Sequence, residues 1–163
     1  MVPFGPARQH RPADARRFLV AQALGASHRP RIEWDAYDVV TPEGITVEVK
    51  SSAYVQAWEQ ARPSTITFGG LKGRTWGAAL GYADAATYNA AVYVFALATA
   101  RGHASYDPLD VAQWRFWVLP RASVEATGQK SLALSRVERL AGTPVAYAGL
   151  ATAVRAAATK QDP

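Results

Sequence analysis

Two periods alternate along the hydrophobic and polar positions of this 163-residue chain. From Pro12 to Leu24, PADARRFLVAQAL opens with Pro and Asp, carries Phe18, Ala21 and Leu24 on one stripe and stops at Gly25, which predicts an amphipathic helix. ASHRPR has no period and reads as a loop. WDAYDVV and ITVEVKS are β-rich runs separated by TPEG, whose proline and glycine supply turn chemistry, so they predict a hairpin. SAYVQAWEQ spaces Tyr54, Val55 and Trp58 helically behind serines able to cap, predicting a short helix that ARPS ends.

TITF predicts a short strand closed by Gly69 and Gly70, and Leu71 to Asn89 predicts a long loop with helical pieces. AVYVFALA is continuously apolar, the pattern of a strand covered on both faces. After the polar connection RGHASYDPLD, QWRFWVLP predicts another strand, ending at Pro120. SRVERLAG offers a capping box from Ser135 to Glu138 with a glycine stop, and AGLATAVRAAATK an alanine-rich final helix. No repeat or long linker divides the chain, so residues 1–163 predict one α/β domain with a central mixed sheet flanked by helices.

Composition narrows the chemistry. Cysteine is absent, which excludes disulfides, thiolate zinc sites and cysteine nucleophiles and fits a reducing cytoplasm. The amino-terminal stretch lacks the apolar core of a signal peptide, and the most apolar run, NAAVYVFALATA, is too short to span a bilayer. A soluble cytoplasmic protein without a membrane partner is expected. Lysine and arginine total 18 against 13 acids, a net charge of +5 that favours an anionic partner.

The sharpest chemical pattern is Glu48 and Lys50 inside a β-branched run. Alternate side chains of a strand share a face, so these two point one way while Val47 and Val49 point into the core. If PEG forms a three-residue loop with Gly44 left-handed, Thr41 faces Ile45 and Asp38 falls opposite Glu48. Two carboxylates and an ammonium then converge, an arrangement that calls for a cation or a proton to offset the repulsion. Magnesium suits it, being a hard ion that takes one or two carboxylates and fills its octahedron with water, carbonyl and phosphate oxygen. Asp35 is a rival for Asp38 but faces the other side of an extended segment, and Glu33 is a weaker third candidate.

Asp38 followed by TPEGITVEVK resembles the Asp and E-x-K halves of the PD-(D/E)xK nuclease superfamily, the restriction-endonuclease-like fold. The resemblance runs in element order from Pro12 to about Leu119, with motif-level specificity only from Asp38 to Gln56. It implies a magnesium-dependent nuclease, with manganese as a substitute ion, that hydrolyses DNA phosphodiester bonds. Asp38, Glu48 and the carbonyl of Val49 would ligate the metal, Lys50 would orient or activate the attacking water, and Gln56 would point toward the site. Many members carry a glutamate on the first helix where this chain has Arg17, which puts a second metal in doubt and leaves Arg17 either to contact phosphate or, on a slightly shifted helix, to be solvated with Arg16.

TITFGGLKGRT is a poor phosphate loop, since its glycine spacing is one short and Arg74 stands where the lysine belongs. Lys72 and Arg74 are instead weak candidates to follow a nucleic-acid backbone. His10, His28 and His103 show no ligand spacing, DPLD reads as turn chemistry, and Trp114, Phe116 and Trp117 read as core. DNA is therefore the implied partner, with a homodimer or a recruiting protein as the assembly. The alternatives are a catalytically weak or inactive nucleic-acid-binding module of the same fold and an RNA-cleaving enzyme.

Overall fold

The computed structural model describes residues 12–26, 37–56, 58, 60–77, 81–82 and 84–160. Helix α1 (Pro12–Ala23) ends as its sequence predicts. The Gly25 amide donates to the Gln22 carbonyl at 3.2 Å and the Ala26 amide to that of Ala21 at 2.9 Å. With Gly25 at φ 63°, this is the paired glycine stop that satisfies the last carbonyls of a helix. The buried stripe is shifted from the predicted one: Leu24 is buried and Ala21 packs against the core as expected, but Phe18 does not. Ala15, Leu19, Val20 and Leu24 turn inward and Phe18 is exposed, because this face meets Val47 and Val49 of the sheet.

The central sheet has four strands, β1 (Val39–Val40), β2 (Thr46–Ala53), β6 (Val92–Ala98) and β7 (Trp114–Pro120), in the order β1-β2-β6-β7. β1 and β2 are antiparallel, β2 and β6 parallel, β6 and β7 antiparallel, so the sheet is mixed. Side-chain alternation splits the core in two. Val47, Val49, Val92, Val94, Ala96 and Phe116 pack with α1 and with α4 (Leu150–Thr159). On the opposite face Tyr93, Phe95, Leu97, Trp117 and Leu119 pack with Phe68, Leu71, Val124, Leu132 and Val137. Every residue of β6 is buried, as a strand covered on both faces requires. The result is an α/β arrangement of three layers.

The parallel step from β2 to β6 needs a long crossover. It runs through β3 (Thr67–Phe68) and a small ribbon of β4 (Trp76–Gly77) and β5 (Gly81–Tyr82). β3 pairs with β8 (Leu132–Ala133), which follows α2 (Arg121–Glu125) and leads directly into α3 (Leu134–Ala141).

Three sequence expectations give way to tertiary context. Residues 51–53 continue β2, because Ser51, Ser52 and Ala53 pair with Ala96, Leu97 and Ala98; the described residues from 54 to 60 are not helical. There the Gln56 amide donates to Gln60 Oε1 at 2.8 Å, and the Gln60 side chain donates to Ser64 Oγ at 2.9 Å. Such local side-chain bonds compete with helical ones. Between Leu71 and Asn89 the described residues form the β4–β5 ribbon and a Gly73–Thr87 bridge, with no helix. Finally, α3 starts at Leu134 behind a non-capping Ala133, because β8 feeds straight into it, so Ser135 lies inside the helix and makes no capping box. Among the described residues no helix is long and apolar enough to cross a membrane.

Candidate active site

Turn chemistry at residues 41–45 fixes the geometry. The Thr41 amide donates to the Ile45 carbonyl and the Gly44 amide to the Thr41 carbonyl, both at 2.9 Å, while the Ile45 amide donates to Thr41 Oγ1 at 3.1 Å. Gly44 sits at φ 87°, where a side chain would be strained. Pro42, Glu43 and Gly44 are therefore the predicted three-residue loop, and Val40 pairs with Thr46 and Val39 with Val47. One step further along this register, Asp38 comes beside Glu48. Its amide donates to the Val47 carbonyl at 3.0 Å and its Oδ2 accepts the Val49 amide at 2.9 Å, so a carboxylate oxygen ends the ladder.

Glu48 and Lys50 share the face opposite Val47 and Val49, as strand parity demands. Lys50 Nζ lies 2.5 Å from Glu48 Oε1, with the two side chains only 17% and 18% exposed. The Asp38 side chain is more deeply enclosed, at 1% exposure, and its Oδ1 lies 2.7 Å from Arg17 Nε. Those two atoms touch as charges without the alignment of a hydrogen bond, which leaves Asp38 Oδ1 a buried oxygen with no donor. Burial first, and then repulsion from Asp38, raise the Glu48 pKa above its ordinary 4.5, against the opposing pull of Lys50 and Arg17. Two acids and two bases thus form one electrostatic unit.

Two residues that the sequence did not single out complete the walls. Tyr93 pairs with Glu48 across β2 and β6, and its hydroxyl donates to the Leu71 carbonyl at 3.2 Å. Burial, followed by the Glu48 charge, pushes its pKa up to about 12, so the phenol stays neutral. Gly70, at φ 67°, backs onto the lysine: a Cβ there would stand 3.5 Å from Lys50 Nζ. A Gly-Gly pair after a strand reads as an ordinary turn, and nothing local announces a neighbour 20 positions upstream.

The other candidates are distributed differently. The Gln56 side-chain amide donates to the Ala53 carbonyl at 3.1 Å and to Ser64 Oγ at 3.2 Å, which ties it to its own loop. Val49 turns its side chain into the core and gives its amide to Asp38. Lys72 Nζ stands 5.1 Å from the centre of the Tyr88 ring, and Arg74 is exposed. Asp107 Oδ1 accepts the Leu109 amide and Asp110 Oδ1 the Ala112 amide, the turn chemistry expected of DPLD. Trp114, Phe116 and Trp117 are buried, as their core reading requires. Glu33, Asp35, His10 and His28 lie outside the described residues.

For one hard cation the donor set fits. Asp38 Oδ1 is buried without a hydrogen-bond donor, and a second carboxylate stands beside it on the facing strand. Among the described residues no group of three or more histidines, cysteines, aspartates or glutamates gathers. An ion held here would complete its shell with carbonyl, water and phosphate oxygens, as magnesium does. Arg17 now supplies the positive charge at Asp38, so cation and guanidinium compete for one oxygen. Compared with family models, curated proteins and solved structures, the chain matches none.

Proposed function

We propose that this chain is a magnesium-dependent nuclease that hydrolyses DNA phosphodiester bonds, on a fold of the restriction-endonuclease-like type. The observation that carries the reading is the hairpin register that sets Asp38 beside Glu48 with Lys50 bonded to Glu48. An E-x-K triplet on an exposed ribbon would be incidental. Here the triplet is mostly enclosed and its lysine is backed by a left-handed glycine. The same element order, a helix, a hairpin and a crossover to a parallel strand, supports the fold assignment.

Asp38 and Glu48 would hold the ion, with the Val49 carbonyl as a further ligand. When bound, magnesium supplies Lewis acidity at the phosphoryl oxygen and a water of lowered pKa. Lys50, 2.5 Å from Glu48, would orient the attacking water and offset negative charge that develops on the phosphate. Arg17 has to leave Asp38 for the ion to enter, and its planar fork suits the incoming phosphate. Glu48 must be ionised to serve as a ligand, so hydrolysis strengthens as pH rises through its elevated pKa. Tyr93, neutral and tied to Leu71, keeps the floor of the site in place.

The Arg17–Asp38 contact favours a second reading, a nucleic-acid-binding module of the same fold in which the arginine permanently replaces the metal. An RNA-cleaving enzyme would use the same metal chemistry. Incubation with supercoiled, linear and single-stranded DNA and with RNA, in magnesium, manganese or EDTA, separates the three. The proposal expects metal-dependent nicking of DNA that Glu48→Ala and Lys50→Ala abolish. Binding without cleavage in every lane supports the module, and cleavage unchanged in both variants refutes the assigned site.

A further inference from the structure

Glu48, Tyr93 and Leu119 stand side by side on β2, β6 and β7, so the sheet face that carries Glu48 and Lys50 continues across two strand spacings, roughly 10 Å, toward α2. β7 runs straight into that helix, and the Arg121 amide donates to the Ala91 carbonyl at 2.9 Å, which holds the junction against the start of β6. Val124 of α2 packs with Tyr93 and Leu119, and residues three apart on a helix share a side, so the half-buried Arg121 lies toward the same layer. Its charge is felt there. Burial first and Glu48 next raise the Tyr93 pKa, while backbone bonds at Ala90 and Asn89 and the Arg121 charge oppose them. Among the described residues no carboxylate stands within ion-pair distance of the Arg121 guanidinium, and Glu125, one turn further along α2, is exposed.

A second cation approaches the same tyrosine from the loop after β3. Leu71 is held there by two bonds: its amide donates to the Lys130 carbonyl at 3.0 Å, and its carbonyl accepts the Tyr93 hydroxyl at 3.2 Å. Lys72 follows, half-buried, with Nζ 5.1 Å from the centre of the Tyr88 ring, and that ring meets Tyr93 edge-on at 6.4 Å. Among the described residues Lys72 also has no carboxylate within ion-pair distance. Two cations without an acid partner therefore border a site whose own acids are matched by Arg17 and Lys50. We infer that Arg121 and Lys72 bind backbone phosphates of DNA beside the scissile one. The inference rests on the reading of this face as the one that meets nucleic acid. A guanidinium takes a phosphate through paired donors and an ammonium takes it as a point charge, so Arg121 fixes where the backbone lies and Lys72 adds attraction. Such contacts position the duplex without reading its bases.

The test is fluorescence anisotropy of a labelled DNA duplex in EDTA across a range of salt. The parent should bind with an affinity that falls as salt rises, because each phosphate contact releases counterions. Arg121→Gln should weaken binding about tenfold and lower the slope of log binding constant against log salt by about 1. Lys72→Gln should lower the slope by about 1 as well, and the double variant by about 2. Arg121→Lys keeps the charge without the fork, so it should restore the slope but not the full affinity, which a folding defect would not do. Parent binding that ignores salt, a slope unchanged in either single variant, or weaker binding by Arg121→Gln at an unchanged slope overturns the inference. Because metal is absent, the outcomes separate: DNA cleavage in magnesium alongside unchanged slopes sinks this inference alone, and lowered slopes without cleavage sink the nuclease reading alone.

Discussion

Arg16 and Arg17 are adjacent on one helix and meet opposite surroundings. Arg17 joins a closed set in which two acids and two bases neutralise one another beside the β1–β2 ribbon, around an almost fully buried carboxylate. Arg16 reaches a strand end, where it donates to Ser51 Oγ, and a cavity that Trp58, Tyr106 and Trp114 also line. The first set is shut away from solvent around Asp38, whereas Arg16 borders a cavity. Position in the fold, more than residue type, decides what each arginine meets.

Breaking the closed set should have the largest effect. Arg17→Ala strands a buried carboxylate, a loss on the order of 3 kcal/mol in EDTA. Thermal or denaturant unfolding reads it directly. Manganese should restore part of that loss by taking the position the arginine leaves, since any ligand of the folded state alone stabilises it. Arg16→Ala loses the charged hydrogen bond to Ser51, worth about 1.5 kcal/mol, and manganese should not recover that loss.

Gly70→Ala comes next. Its left-handed φ of 67° makes a side chain cost about 1 to 2 kcal/mol, and the new Cβ meets Lys50 Nζ at 3.5 Å. The melting temperature should fall and nicking should slow, while the same change at Gly69, where φ is not left-handed and nothing stands within 4 Å, should do neither.

Glu48→Gln has a pH signature. With its pKa raised above 4.5, folded Glu48 keeps a proton that the unfolded chain has released, so its contribution to stability declines as pH rises from 4.5 through the elevated pKa. The glutamine variant lacks this slope, and its melting temperature should gain on the parent over that window, with the smallest difference at pH 4.5 and below. The smallest effect is at the glycine-rich loop. Lys72→Ala and Arg74→Ala should leave unfolding nearly unchanged and each lower the slope of log binding constant against log salt by about 1 if the side chain contacts a DNA phosphate.

What was legible in the sequence follows the range of the interactions. The hairpin, its left-handed Gly44 and the placement of Asp38 beside Glu48 depend on turn chemistry and strand parity within 11 positions, and the structure reproduces them. The end of α1 at Gly25 and the burial of β6 were local in the same way. Arg17 stands out in the sequence as a departure from a motif, but its partner lies 21 positions away and no pattern in the chain pairs them. Tyr93 and Gly70 reach the site through the β2–β6 pairing and the turn after β3, which are long-range events. Gln56 does not sit on the helix its sequence predicts, because strand pairing extends β2 to Ala53, and its side chain bonds within its own loop.

The central claim is that Asp38 and Glu48 together bind one divalent ion. Titration of manganese followed by electron paramagnetic resonance of the free ion tests it without any substrate. The account predicts one site per chain, lost in Asp38→Asn and in Glu48→Gln and tightened in Arg17→Ala. Absence of a site in both the parent and Arg17→Ala, or a site that survives loss of both carboxylates, would contradict it.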